Sequence, residues 1–400
     1  MKNKFLLFAL IFYSFQIIAQ ESWTKMASLP GPGRNHAIAF SHGTKGYVMT
    51  GEDASLMKDF WEYDSGSDTW KELPNYPGAA RSYGIGYTIG DKAYIGLGHS
   101  SSGALLDWWE YDFNTSTWNN KASFPGPGRD HPACAEMNGK IYLGFGDRGS
   151  TQYKDWWQYD PTNDTWTQKT TYPGYKMHHP VAAQDSNLVY ITEGHIEEGT
   201  QNHGSIYSYS YNAANDTWTQ LANMPGPGVV AGASFYIGNN KIYSGIGITE
   251  PESAFHKEFY AYDISAGKWS TIASYPGSGR FAPVSFVIGN AGYIATGMTS
   301  ANVSVQDLYK LSYLTTGLEK IKSSVAYSVY PNPATSEFTI TNITRAENFH
   351  YSLYTLLGAE IKSGYLTEAG KVNVSDLSKG IYLIKVNNGK NGFTKKVIIQ

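Results

Sequence analysis

The chain has 400 residues, 16% of them charged, a formal net charge of −3 and no basic tail, so a nucleic-acid partner is not expected. Its single cysteine excludes an internal disulfide and any zinc framework of the Cys-x-x-Cys type. Aromatic residues reach 15%, with 31 tyrosines, a composition that suits packed β-sheet faces.

The chain opens with Met1-Lys-Asn-Lys, an apolar run from Phe5 to Ile18, and the small residue Ala19. This is the layout of a secretory signal peptide over 1–19, too short for a spanning helix. No later run approaches the roughly 18 apolar residues a membrane helix needs, so the mature chain is expected to have no transmembrane segment.

Residues 20–314 are organised by a repeat. Tryptophans stand at Trp23, Trp70, Trp118, Trp166, Trp218 and Trp269, at intervals of 47, 48, 48, 52 and 51 residues. A period near 50 marks a stacked or circular array. The third repeat shows the internal order most clearly. Arg129-Asp-His131-Pro-Ala-Cys-Ala-Glu-Met is followed by Gly139-Lys-Ile-Tyr-Leu-Gly-Phe-Gly146, Asp155-Trp-Trp-Gln-Tyr-Asp160 and Thr165-Trp-Thr-Gln-Lys169. These are four short strands, a to d, separated by Gly, Pro, Asn and Asp. Four strands per repeat make one blade of a β-propeller. The succession of Arg/His, Tyr-x-x-Gly-x-Gly, Tyr-Asp and Trp resembles the kelch repeat over residues 21–314.

Strand c ends at Tyr63, Tyr111, Tyr159, Tyr211, Tyr262 and Leu311, and a strand-d Trp follows the first five after seven residues. Leu311 has no such partner, whereas Trp23 has no preceding blade. The pattern therefore predicts an all-β fold of six blades closed by Ser22–Met26 as the last strand d. Closure would remove the exposed sheet edges of an open array.

The Trp period stops after Trp269. Residues 315–324 read as a linker. Beyond it stand Tyr327-Ser-Val-Tyr-Pro-Asn-Pro333, Val374-Ser-Asp-Leu-Ser-Lys-Gly-Ile-Tyr-Leu-Ile-Lys385 and Thr394-Lys-Lys-Val-Ile-Ile-Gln400. In this order they resemble the type A C-terminal sorting domain of the Bacteroidota type IX secretion system, over 325–400. The resemblance implies a small β-sandwich, secretion machinery as a partner, and a secreted or cell-surface location.

Strands a are innermost in a propeller, and the d–a and b–c loops emerge on one face. The d–a loops carry Arg34, Arg81, Arg129 and Arg280. With side chains repeating every two residues, each Arg is expected to share a face with the residue two positions on: His36, Tyr83, His131 and Ala282. The fourth blade has Met177, with His178 and His179, and the fifth has Val229 and Ala231. The b–c loops add Glu52, Asp53, His99, Asp147, Arg148 and His195, with Glu197, Glu198, His203, Glu250 and His256 beyond them. Eight of the ten histidines fall on this face, His42 and His350 being the exceptions.

Four guanidiniums in a ring suggest an anion or sugar-acid clamp, because the planar fork pairs bidentately with carboxylates. The plain alternative is that each Arg bonds carbonyls within the fold. Asp59, Asp107, Asp155 and Asp307 recur at one strand-c position and read as hydrogen bonders. Asp64, Asp112, Asp160 and Asp263 read as Asx turns. The tryptophans read as packing between blades. The histidines predict tighter binding of an acidic ligand as pH falls from about 7.5 to 5.5.

Kelch-like propellers resemble the copper enzyme galactose oxidase, but Cys134 reads as a packing residue and six blades depart from that family's seven. They also resemble envelope sialic acid mutarotases, which need a general acid/base and a carboxylate partner. The residues predict a secreted or surface propeller that binds a glycan or an extracellular protein. A sugar-acid mutarotase and a structural surface module are the alternatives. No cofactor and no metal are called for, and a monomer is expected.

Overall fold

In a computed structural model the described residues are 20–198, 201–250, 254–314, 328–341, 349–355, 360–366, 370–387 and 392–400. The expected signal peptide over 1–19 and the expected linker over 315–324 lie outside them. The described residues contain strands and no helix, hence no helix long and apolar enough to cross a membrane. Two compact units are present, one spanning Glu21–Tyr313 and the other formed by the C-terminal segment.

The first unit contains six four-stranded sheets. In the first, Ile38–His42, Lys45–Met49, Phe60–Asp64 and Thr69–Leu73 pair in chain order. The third repeats this with Ala133–Met137, Lys140–Gly144, Trp156–Asp160 and Thr165–Lys169. The sixth takes Val284–Ile288, Ala291–Ala295 and Leu308–Leu314 from the end of the unit and Gln20–Met26 from its beginning. The first strand of each sheet neighbours that of the next, and the sixth neighbours the first.

The recurrent residues explain this packing. Trp70, Trp166, Trp218 and Trp269 each donate their indole N–H to a carbonyl of the preceding repeat, at Ala27, Ala122, Thr170 and Ala222. Trp23 donates to Ala273 at 3.0 Å, joining the first strand to the fifth repeat. Asp64, Asp112, Asp160 and Asp263 accept backbone N–H groups two or three residues on, which shapes the c–d turns. Glycine is required where sheets press together: a Cβ on Gly292 would lie 2.2 Å from the Phe235 ring.

In the C-terminal unit, one sheet holds Val329–Tyr330, Glu337–Ile340 and Lys371–Asn373, and a second holds His350–Thr355, Glu360–Tyr365, Gly380–Asn387 and Gly392–Ile399. Phe338, Ile340 and Val372 from one face pack with Leu353, Ile384, Val386, Val397 and Ile399 from the other. The Pro-Asn-Pro motif ties into the last strand. Asn332 donates to the Lys396 carbonyl and accepts from the Ile398 N–H, both at 2.8 Å.

Candidate functional site

The d–a and b–c loops meet in every repeat of the first unit. Backbone bridges join Asn35 to Glu52, Ser82 to His99, Asp130 to Asp147, His178 to His195, Val230 to Ile248 and Phe281 to Met298. The residue that follows each d–a partner has a left-handed backbone: His36, Tyr83, His131, His179, Ala231 and Ala282 have φ of 48°, 62°, 55°, 55°, 52° and 50°. Such strain persists only when the surroundings over-determine it. Here the backbone N–H groups of Tyr83, His36 and Ala282 donate to the carbonyls of His36, Ala282 and Ala231 in turn, and that of His179 donates to His131. Gly98 must be glycine, since its φ is 78° and a Cβ would meet the Ser82 carbonyl at 2.2 Å.

The left-handed turn separates each Arg from the residue two positions on, so the shared face expected from a strand period is not formed. Arg34, Arg81, Arg129 and Arg280 are fully buried. Each grips a carboxylate of its own sheet with both terminal nitrogens: Asp59, Asp107, Asp155 and Asp307, at 2.5 to 3.0 Å. Each also donates to the carbonyl of Thr50, Leu97, Phe145 or Thr296. Aromatic rings cover three of them, Tyr76 over Arg81, Phe124 over Arg129 and Tyr275 over Arg280. Burial alone would raise the pKa of Asp59, Asp107 and Asp155, but the hydrogen bonds and charge of the paired Arg hold each below the usual carboxylate range. A guanidinium engaged this way has no edge for a ligand. The four-Arg clamp is therefore replaced by four structural ion pairs that brace the b–c loops.

What reaches the centre of the face is the left-handed row. His36, Tyr83, His131 and His179, with Ala231 and Ala282, line a cavity of about 120 Å³. Ring centroids of His131 and His179 lie 3.5 Å apart, His36 and Tyr83 4.2 Å, and Tyr83 and His131 4.3 Å. Phe281 stands 5.0 Å from His36. Polar partners hold the rings. His36 Nδ1 meets Asn35 Oδ1 at 2.6 Å, His131 Nδ1 meets Asp147 Oδ1 at 2.8 Å, and Tyr83 donates to Glu52. His178 stacks on His195 at 4.5 Å, and His195 pairs with Glu250. His99 Nδ1 lies 3.4 Å from Asp130. Asp53 and Arg148 are exposed and outside this network. His256 pairs instead with Glu258 of its own strand.

Burial, and secondarily the neighbouring His131, push His36 well below the usual histidine value; the same causes lower His179. His178 falls to about 4, chiefly through burial. These three stay neutral between pH 7.5 and 5.5, so they do not supply the expected gain in acidic-ligand binding.

A match over residues 10–180 is to the KLHDC2/KLHL20/DRC7 Kelch-repeats domain, and one over 328–400 is to the Secretion system C-terminal sorting domain. The chain carries a kelch-repeat domain and a C-terminal sorting domain. Among solved structures, "Structure of YjhT" superposes with a TM-score of 0.61 at 16% identity, covering 72% of this chain and 97% of that one, a likeness of fold. No curated protein matches the chain. The sorting domain marks the kelch protein for type IX export to the cell surface or the medium and engages the secretion machinery.

Behind the kelch face, the first strands of all six sheets line a channel of about 570 Å³. Tyr87 and Gln184 hydrogen-bond within it. Cys134 lines its wall, with its thiol against the Gly86 carbonyl and burial pushing its pKa up to about 12, which suits packing. Sequence reasoning missed Asn35, Asp130 and Phe281 as site residues, and also the buried Glu193. One signal was present: each Arg of the ion pairs is matched by an Asp four residues before the c-strand end. In the fourth repeat, Met177 replaces the Arg and Tyr207 the Asp.

Proposed function

We propose that this secreted or surface-displayed kelch propeller binds a glycan or an extracellular protein at the axial end of the d–a/b–c face. The observation that carries the reading is the left-handed row, which holds His36, Tyr83, His131 and His179 around one cavity beside Phe281. Aromatic faces suit sugar rings or apolar side chains, and fixed polar groups at the margin, Glu52, Asp130 and Asp147, suit hydroxyl or amide partners. This polar row is set in a rigid crown, which lowers the ordering cost of binding.

The sugar-modifying alternative, a sugar-acid mutarotase, has one observation in its favour. His131 is oriented by Asp147 at 2.8 Å, as a general acid/base would be. The buried Arg set does not supply the carboxylate partner that chemistry needs.

The test is a thermal-shift screen of the chain against sugars, sugar acids and glycans, followed by titration of any hit. A hit whose affinity falls at least tenfold in Tyr83→Ala, with the fold intact by circular dichroism, supports the reading. A hit insensitive to Tyr83→Ala and to His36→Asn would place binding elsewhere. No hit, together with no protein captured at this face, would favour a structural surface module. Turnover of a bound sugar, abolished by His131→Asn, would favour the mutarotase.

A further inference from the structure

We propose that His36, His131 and His179 form a three-histidine site for a divalent transition-metal ion of the zinc class at the mouth of the channel. Each residue comes from a different repeat, and one ring nitrogen of each lies within 4.8 Å of the others. The inference goes beyond glycan or protein binding and does not depend on it.

The hydrogen bonds set the tautomers. The Asn35 amide donates its Nδ2–H to Ser304 Oγ at 3.1 Å, which turns Oδ1 toward His36 Nδ1. His36 Nδ1 must then carry the proton, leaving the Nε2 lone pair bare. Asp147 accepts from His131 Nδ1 and leaves the His131 Nε2 lone pair bare by the same logic. His179 Nδ1 faces His178 Nδ1, and its Nε2 lies 3.1 Å from His36 Nε2. A tetrahedral ion with Zn–N bonds near 2.0–2.1 Å separates its nitrogens by about 3.3 Å, close to this spacing.

One proton on His179 Nε2 serves a single neighbouring lone pair, whereas an ion at the centre takes all three. The second set of contacts is of the kind metal sites use: an acceptor behind two of the three ligand rings, carboxylate on His131 and amide on His36, fixes orientation and raises basicity. Imidazole ligands suit Zn, Cu, Fe and Ni rather than Mg or Ca. In the second repeat the equivalent position is Tyr83, and in the fifth and sixth it is Ala231 and Ala282, whose small side chains leave room in the cavity for a fourth ligand. Three protein ligands and one open position describe a site that binds an exogenous oxygen or nitrogen donor.

The test uses the full chain stripped of metal with a chelator and titrated with cobalt(II), read by its visible d–d absorption in the absence of any sugar. The expected result is one ion per chain, with bands of low-coordinate cobalt that zinc displaces. His131→Asn and His179→Asn should each weaken binding more than about 100-fold, and Asp147→Asn, which removes an orienting group, about 10- to 100-fold. Asparagine is chosen because it tolerates the left-handed backbone. His42→Asn, where the wild-type side chain pairs with Asp91, should leave binding unchanged. Absence of one-to-one cobalt binding in the wild type would overturn the site. So would unchanged affinity in both ligand variants, or an equal loss in His42→Asn. If a ligand variant does not fold, Asp147→Asn decides. Failure here leaves the glycan or protein reading standing, since no sugar enters the measurement.

Discussion

Repeats one, two, three and six differ from repeats four and five at the same place in the same backbone. In the first group a buried Arg clasps an Asp and a b–c loop carbonyl. In the second the Arg positions hold Met177 and Val229, both buried. The polar group that braces this boundary is instead Glu193, at the left-handed position that Thr50, Leu97 and Phe145 occupy elsewhere. Glu193 accepts from Ser244 Oγ at 2.6 Å and from the Gly232 N–H at 3.1 Å. Burial raises its pKa well above the usual carboxylate value against the pull of those bonds. An ionic latch in one group and an apolar plug beside a buried acid in the other thus occupy the same place. The fold requires that the space be filled and does not require a charge there.

The largest effect should come from breaking one latch. Arg129→Ala leaves Asp155 poorly solvated and unpaired, and should cost about 3–5 kcal/mol in urea unfolding. All 11 tryptophans lie between Trp23 and Trp269, so their fluorescence reports on the propeller alone. The double variant Arg129→Met/Asp155→Asn, which takes the fourth repeat's Met and removes the carboxylate charge, should recover most of that loss. A double variant as unstable as the single would show that latch and plug are not equivalent.

Acid should separate the two groups next. Asp59, Asp107 and Asp155 have folded-state pKa values below those of the unfolded chain. Their stabilisation is full above the unfolded value near 4 and is lost as pH falls through the folded values. Melting temperature should drop steeply below about pH 4, and less steeply in the double variant. An identical acid limb would remove the latches as its cause.

Tyr83→Phe removes a hydrogen bond to Glu52 and should cost about 1–2 kcal/mol, leaving Glu52 its contact with Ser82. No loss would mean that the crown is held by its backbone bonds alone. The smallest effect is expected at Glu193. Its raised pKa means that the native state resists ionisation which the unfolded chain accepts, so the wild type loses stability as pH rises above the unfolded value. Glu193→Gln should flatten that trend, with the largest gain near pH 8 and none near pH 4. A parallel pH profile for the two proteins would contradict the assignment.

The repeat unit was legible because its markers answer local needs. Asp160 caps a turn two residues on, and Trp166 reaches a neighbouring carbonyl whatever the rest of the blade contains. The face was legible too, since d–a and b–c loops must emerge together in an antiparallel sheet. The exchange of roles on that face was not. A strand period of two made Arg129 and His131 companions, but His131 is left-handed, and the turn sends Arg129 inward to Asp155 and His131 to the axis. Histidine, tyrosine and alanine all occupy this position, so residue type gave no warning.

The sequence by itself determined the kelch repeat, the sorting domain and the export route, because each rests on residues that act within a few positions or one repeat of themselves. Only the tertiary structure decided which of the conspicuous charges are spent within the fold and which side chains converge. Arg34 finds Asp59 across 25 positions, whereas His36 finds His179 across 143. Contacts of the second kind exist only once the repeats are arranged about a common centre.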